Sequence, residues 1–339
     1  MAEKNTLNDI AARAGVGVGT VSRVLNNHPN VSAKTRDKVL HAIAELDYRP
    51  NFSARHMRTQ RSQLLGFLTD KVATTPFAGQ IIQGAQETAW QQGRILMVVN
   101  TDSDPALTHA AIEVFLERDV EGILYAAMSH HVVELPPSVH KVPVALANCF
   151  SADHALSSVV PDEERGGREA TEALLRQGHR RIGMINFADN PAVPAATGRQ
   201  AGYRKALAAH GIAFDERLIY HSEDDDERGF VGTLTLLDQP DPPTALFCVN
   251  DRTAIGAYNA LHERGLRIPD QVAVIGFDDQ AIIAGALRPT LSSMALPHRA
   301  MGQWAATELF RQIDRAAAGH DPAPTHAMLH CPLVARRSH

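Results

Sequence analysis

Thr6 to Arg61 reads TLNDIAARAGVGVGTVSRVLNNHPNVSAKTRDKVLHAIAELDYRPNFSARHMRTQR, a run of short amphipathic patterns set close together. Leu7, Ile10, Ala11 and Ala14 fall at i, i+3, i+4 and i+7, one face of a helix. Thr6 with Asp9 three residues later has the form of a capping box, and Gly15 suits the left-handed residue that ends a helix. A second stretch, 19–26, sets Val21, Val24 and Leu25 on one side. The third follows Ser32, a good N-cap, and repeats the spacing with Val39, Ala42, Ile43 and Leu46 before Tyr48-Arg49-Pro50 closes the unit. Two short helices around a glycine-containing turn, then a third, predict a helix-turn-helix with its supporting helix.

Charge divides the chain at the same place. The first 62 residues carry ten Lys and Arg against five Asp and Glu, while the remainder carries 23 against 33. A cationic module on an acidic body suits phosphate binding at one end and keeps the bulk off nucleic acid. A merely charged and solvated terminus would lack the apolar periodicity that runs through the same residues.

In a helix-turn-helix the second helix enters the major groove and turns its outward face to base edges. The outward residues near its start are Val18, Gly19, Thr20, Ser22, Arg23 and Asn26. Arg23 can fork onto a guanine, and Ser22 and Asn26 suit phosphates. An arginine on a surface helix is ordinarily only solvated; its place on this helix favours the base-reading role. The run Gly15-Val16-Gly17-Val18-Gly19 lacks the Gly-Lys-Ser/Thr ending of a nucleotide loop, and no buried strand precedes it. Residues 51–59, NFSARHMRT, are too few for a stable isolated helix. They read either as a linker or as a segment that folds on DNA and offers Met57 as an apolar wedge for the minor groove.

With these motifs in view, residues 6–62 resemble the headpiece of the lactose-repressor (LacI/GalR) family of transcription regulators. The matching pieces are T-L-x-D-I-A, A-G-V, T-V-S-R-V-L-N, V-S-x-x-T-R and A-x-x-x-L-x-Y-x-P-N, in that order. The resemblance implies phosphate contacts from Thr6, Ser22, Asn26, Asn30, Ser32, Thr35 and Asn51. It implies base contacts from Arg23 and the pair Val18-Gly19, and a hinge helix at 51–59 with Ala54 and Met57 in the minor groove. This chain departs from the family at Met57, commonly Leu, and at Val18-Gly19, often larger and polar. With no side-chain hydrogen bond from that pair, Arg23, backbone groups and DNA shape carry more of the discrimination.

From Leu64 short apolar runs alternate with helical stretches. Strands are predicted at 64–68, 95–100, 122–126, 142–147, 181–185, 245–249 and 272–276, and helices at 79–92, 105–118, 163–177, 199–210 and 251–264. Such alternation predicts parallel sheets covered on both faces, with ligands beyond the carboxyl ends of the strands. Those ends carry Asp70, Asn100-Thr101-Asp102, Asn148, Asn250-Asp251 and Asp278-Asp279, groups suited to fixed hydrogen bonds with a polyol. Asn and Asp at strand ends also cap the next helix. We read Asp162 and Asp251 as caps, and Asn250 and Asp278 as ligand groups.

The body extends the resemblance through L-R-Q-G-H-R-R-I-G, R-Q-A-G-Y, C-V-N-D-x-x-A-I-G-A and V-I-G-F-D-D. It implies an all-α helix-turn-helix headpiece (1–50), a hinge and linker (51–62), and an α/β body (63–339) like the periplasmic sugar-binding proteins. That body would comprise two doubly wound parallel-sheet subdomains, 63–160 with 292–321 and 161–291 with 322–339. Effector contacts are then implied for Arg199, Asn250 and Asp278, with Asn148 where some members place Asp. Phe77 stands ready to stack on a ring face, and Asp102 and His298 are further candidates.

No metal-protease, nucleophile-elbow or clustered Cys/His motif is present, and His130-His131 reads as a solvated loop pair. Asp278-Asp279 are sequence neighbours, a poor spacing for opposed acid and base work across a sugar. The acidic run 223–227 reads as a solvated loop. Cys149, Cys248 and Cys331 are odd in number and unclustered, and read as small buried apolar groups. No apolar run approaches a membrane span and MAEKNTLNDI carries no signal-peptide core, so the expectation is a cytoplasmic protein, held at the nucleoid when bound to DNA.

The combined expectation is a repressor without catalytic residues, metal or cofactor. It would bind pseudo-palindromic double-stranded operator DNA as a homodimer under control of a small-molecule effector, most simply a sugar. The alternatives are a solute-binding protein that only captures sugar, a sugar-processing enzyme, and a regulator answering a nucleobase or other non-sugar metabolite.

Overall fold

The computed structural model describes residues 5–25, 28–48, 62–190, 192–224, 227–320 and 323–339, in two compact units that part after Ser62. The headpiece comprises α1 (Leu7–Ala14), α2 (Val18–Leu25) and α3 (Ala33–Glu45). Its ends are fixed locally. Asp9 N donates to Thr6 Oγ1 at 3.4 Å, and Thr6 N donates back to Asp9 Oδ2 at 2.6 Å, the reciprocal pair of a capping box. Gly15 takes φ 66°, and Val16 N folds back onto Ala11 O at 3.0 Å. Ile10, Ala11, Val21, Val24, Val39 and Ala42 bury together, the apolar faces read from the spacing. Asn26 and the hinge residues Asn51, Ala54 and Met57 lie outside the described residues.

The body begins with β1 (Leu64–Thr69), α4 (Gly79–Gln91), β2 (Ile95–Asn100), α5 (Pro105–Glu117), β3 (Ile123–Val133), β4 (Val144–Ser151) and β5 (Ser157–Pro161). It continues with α6 (Glu163–Arg176), β6 (Ile182–Phe187), α7 (Pro194–Ala209), β7 (Ile219–Ser222), α8 (Arg228–Leu237), β8 (Ala245–Cys248), α9 (Asp251–Glu263), β9 (Ala273–Asp278), α10 (Ala281–Ala284) and β10 (Ser292–Ala295). The chain closes with α11 (His298–Ala317), β11 (His326–Leu329) and β12 (Leu333–Val334).

The first sheet runs β11-β5-β4-β3-β1-β2, with every pair parallel; the second runs β12-β10-β9-β8-β6-β7, parallel except for β10 with β12. Alternate residues of each strand enter different clusters. Leu124 and Ala126 pack with α4 and α11, whereas Ile123 and Tyr125 pack with α5. Both faces of the sheet are therefore covered, which is why these strands read as continuous apolar runs.

The chain crosses between sheets after Pro161, between Ala295 and His298, and between Leu329 and Leu333. The last two differ from the implied positions near 291 and 322. Ser292–Ala295 pairs with β9 and stays in the second sheet, and His326–Leu329 pairs with β5 and stays in the first. Hydrogen-bonded pairing, not the family frame, sets those ends.

One close approach positions the site. A Cβ on Gly202 of α7 would stand 2.1 Å from Glu164 O, and one on Gly167 of α6 2.2 Å from Arg199 O. Only glycines let the two helices meet backbone to backbone, and that contact brings Glu163 and Arg199 together across 36 positions of sequence.

Candidate functional site

In the headpiece the expected DNA contacts sit at helix starts and on the outer face of α2. Thr6, Val18, Gly19, Arg23, Asn30 and Ser32 are exposed, and Thr20, Ser22 and Thr35 are half-buried. Ser32 Oγ accepts from Thr35 N at 3.2 Å and lies 2.9 Å from Thr35 Oγ1, so the expected phosphate ligand is also the cap of α3. Thr6 has the same double part through Asp9. Helix starts gather unpaired N–H groups and positive dipole ends, which is what a phosphate requires.

In the body the centre is Arg199, 3% exposed on α7. Its Nε donates to Glu163 Oε2 at 2.7 Å, its Nη1 donates to Val249 O and stands 3.5 Å from Asp278 Oδ1, and its guanidinium lies 3.6 Å over the Phe277 ring. Burial works against every one of these charges. Glu163, 5% exposed, is nevertheless held below the usual carboxylate range: its desolvation is the largest influence, but Arg199 and His130 together outweigh it. Asp278 is not: burial raises its carboxyl to about 6 despite the pull of Arg199. Its φ of 100° is strained for a non-glycine residue, and Asp279 beside it takes φ 52°. Strain of this kind at a strand end is a mark of a functional site.

The strained turn is braced from behind. Asp279 N donates to Ser293 Oγ at 3.1 Å, Ser293 Oγ donates to Asp251 Oδ1 at 2.5 Å, and Gln280 N donates to Asp251 Oδ2 at 2.6 Å. Burial, with Asp278 nearby, pushes the Asp251 carboxyl well above its ordinary range. Asp251 is thus no cap. Asn250 is extended at φ −149° and caps α9, its Oδ1 accepting from Thr253 N at 2.8 Å, while Asp251 opens the helix and turns inward. Asp162 does cap α6, accepting from Arg165 N at 3.1 Å.

Pro76, Phe77, Gln80, Asp278, Gln280, Leu296 and His298 are among the residues lining a cavity of about 150 Å³ within the body. It brings three of the expected effector residues together: Phe77, Asp278 and His298. Arg199 joins them through Asp278. His298 is buried, its Nε2 without a hydrogen-bond partner, and burial lowers its pKa to about 4 while the Phe77 backbone works the other way. The exposed Arg252 sets its guanidinium 5.7 Å from the Phe77 ring.

Two expected residues stand differently. Asn148, at φ 59°, spends its amide N–H on Ala127 O at 3.0 Å and Met128 O at 3.1 Å, leaving Oδ1 buried without a partner. Asp102 has a side chain 75% exposed and 3.6 Å from Lys71 Nζ, at the end of edge strand β2, and does not line the cavity.

Sequence reasoning missed Glu163 and His130. His130 is not a solvated loop residue: it lies in β3, its side chain 9% exposed, with Nδ1 3.5 Å from Glu163 Oε1 and its ring edge-on to Phe150 at 5.7 Å. The cysteines are buried thiols, as read. Among the described residues no helix is long and apolar enough to cross a membrane.

Comparison with known proteins gives this geometry its context. Residues 6–51 match the model of bacterial regulatory proteins of the lacI family, and 171–339 match the periplasmic binding protein-like domain. The sucrose operon repressor of Escherichia coli is 34% identical over 94% of this chain and 97% of its own length. The ribose operon repressor of Haemophilus influenzae is 31% identical over 91% of this chain and 92% of its own. Among solved structures, the lac repressor dimer bound to operator and the anti-inducer ONPF superposes with a TM-score of 0.76 at 28% identity, over 99% of both chains. A complex of the transcriptional regulator CelR with cellobiose gives 0.68 at 30% identity, over 99% of this chain and 100% of that one. A helix-turn-helix headpiece with its recognition face exposed, joined in one chain to a two-sheet ligand-binding body, is the organisation these proteins share, and the chain belongs to the lacI family of bacterial regulatory proteins.

Proposed function

We propose that this protein represses transcription by holding a pseudo-palindromic operator as a homodimer, and that a small sugar or glycoside in the body's cleft sets its operator affinity. One headpiece covers only a half-site, so the second copy supplies the other half. Arg23 reads a base edge, the backbone of Val18-Gly19 approaches the groove, and Thr6, Thr20, Ser22, Asn30, Ser32 and Thr35 position the phosphates with Asn26 and Asn51. Residues 51–62 form the hinge between the headpiece, 1–50, and the effector body, 63–339, with Ala54 and Met57 directed to the minor groove.

The observation that carries the effector reading is the company kept by one cavity: the ring of Phe77, the carboxylate of Asp278 and the unpartnered Nε2 of buried His298. An apolar face with a few convergent polar groups is how a sugar is held. Asn250 and Asn148 each keep one side-chain polar atom out of the local hydrogen bonds described above, and Arg199 orders Asp278 from its buried side. The sucrose and ribose operon repressors and the CelR–cellobiose complex support the same class. A ligand that prefers one closure of the cleft shifts the DNA-competent population by its differential affinity.

Fluorescence anisotropy of operator fragments, with and without a panel of mono- and disaccharides, tests the proposal. A sugar-dependent change in operator affinity is expected; saturation by a sugar with no such change contradicts it.

A further inference from the structure

Arg199 is bound to two carboxylates at once, Glu163 at 2.7 Å and Asp278 at 3.5 Å. One buried cation against two carboxylates, Glu163 buried and Asp278 at the cavity wall, leaves the cluster with an excess of negative charge, since a carboxyl at about 6 is ionised at neutral pH. The other permanently charged cations nearby do not reverse this, and among the described residues His130, 3.5 Å from Glu163 Oε1, is the one imidazole in contact with Glu163. Arg336 is committed to Asp279 at 2.7 Å, Lys71 faces Asp102 at 3.6 Å, and Arg252 is exposed beside Phe77. The helix starts at this network are answered too. Asp162 caps α6, whose first turn carries Glu163 and Glu164, and Asn250 caps α9, whose first residue is Asp251. Those are the places where a bound anion would otherwise find free N–H groups and a positive dipole end.

We infer that Glu163 is a specificity-determining residue that restricts the cleft to uncharged polyols and rejects sugar phosphates and sugar acids. The inference rests on the sugar reading above and narrows it. A neutral hydroxyl can donate to Asp278 or meet His298 Nε2 with no charge to compensate. A phosphate or carboxylate must approach an arginine already neutralised, with a second carboxylate adjacent. Glu163 works through Arg199, as a positioning residue that spends the guanidinium on the protein.

The test is calorimetric titration of the full-length protein at pH 8, above the ordinary imidazole range. The probes are matched pairs: glucose with glucose 6-phosphate and gluconate, sucrose with sucrose 6-phosphate, ribose with ribose 5-phosphate. In the wild type a neutral member binds, and its charged counterpart binds more weakly by about tenfold or more, the scale of one like charge at close range in a partly solvated site. Glu163→Gln removes most of that discrimination, Glu163→Ala does the same by a substitution with no amide to accommodate, and Glu163→Asp retains it. Thermal melts confirm that each variant is folded. A wild type that takes the charged member as tightly as the neutral one overturns the inference, and so does discrimination unchanged in both neutral variants. Binding of no sugar of either charge is a different failure: it overturns the sugar reading, and this inference with it.

Discussion

Arg23, Asn30 and Ser32 stand at the surface of the headpiece, whereas in the body Arg199 and Glu163 are buried, Asp278 is half-buried, and the arginine pairs with both carboxylates. Under the proposed function the two sets answer different demands. A DNA duplex supplies its own fixed array of phosphates and base edges, so each headpiece residue needs only a rigid helix and an open side, and the apolar core of α1, α2 and α3 supplies the rigidity. A small ligand supplies a few hydroxyls, so the cleft must hold its polar groups in place, and it does so by setting charge against charge. Substitutions in the first set should act nearly independently; those in the second should be strongly non-additive.

The sharpest break of that contrast is Arg199→Ala. It strands the buried charge of Glu163 and leaves half-buried Asp278 without its cation, and denaturant unfolding of the body should register a loss of about 3–5 kcal/mol, with the ligand response gone. Pairing it with Glu163→Gln should restore part of the loss. Simple additivity of the two would mean that the charges are not coupled.

His298 sharpens the same contrast through pH. Its folded pKa, about 4, lies below the ordinary imidazole value, so the unfolded chain takes up a proton first as pH falls. Stability from this group is present above about 6.5 and is lost progressively down to about 4, an effect of up to about 3 kcal/mol. Asp278, raised to about 6, acts in the opposite sense, because the folded state takes up its proton first below that value. His298→Gln should therefore reduce the loss on acidification, leaving the shares of His179 and His339, also lowered by burial, set against the gain from Asp278 between about pH 6 and 4. An unfolding profile identical to wild type would remove His298 from the account.

In the headpiece, Arg23→Ala should cost operator affinity about 1–3 kcal/mol, the worth of a bidentate base contact, and relax specificity at one base pair without altering sugar titrations. Met57→Asp should abolish specific binding while the sugar affinity of the body survives; unchanged operator affinity would sink the wedge. Smallest of all, Ser32→Ala should lower headpiece stability by about 1 kcal/mol through the lost cap of α3, measured by thermal unfolding of the full chain.

How much could be read in advance follows the same division. The headpiece was legible because its signals are local: Thr6 with Asp9, Gly15 and Ser32 each act within a few residues. The long strands were legible because both faces of each sheet are buried. The short strands β5, β7, β10, β11 and β12 were not, since two to five residues carry little periodicity and pairing partners decide them. The cap expected of Asp251 fell to Asn250, because either side chain can cap a helix; the extended backbone at Asn250 and the inward pull of Ser293 on Asp251 made the choice. Asp102 sits at a strand end like Asp278, but on an edge strand facing solvent. Glu163 and His130 lie in different layers, and nothing in their spacing announces that they meet.

Under the proposed function the charged cluster of the body governs the exposed contacts of the headpiece. The most direct measurement is the operator affinity of the full-length protein at zero and saturating sugar, in the wild type and in Arg199→Ala at a temperature where both are folded. A sugar-dependent shift is expected in the wild type and none in the variant, with comparable operator affinity in the absence of sugar. A wild type that saturates with sugar while its operator affinity stays constant, or a variant that keeps the full shift, would contradict it.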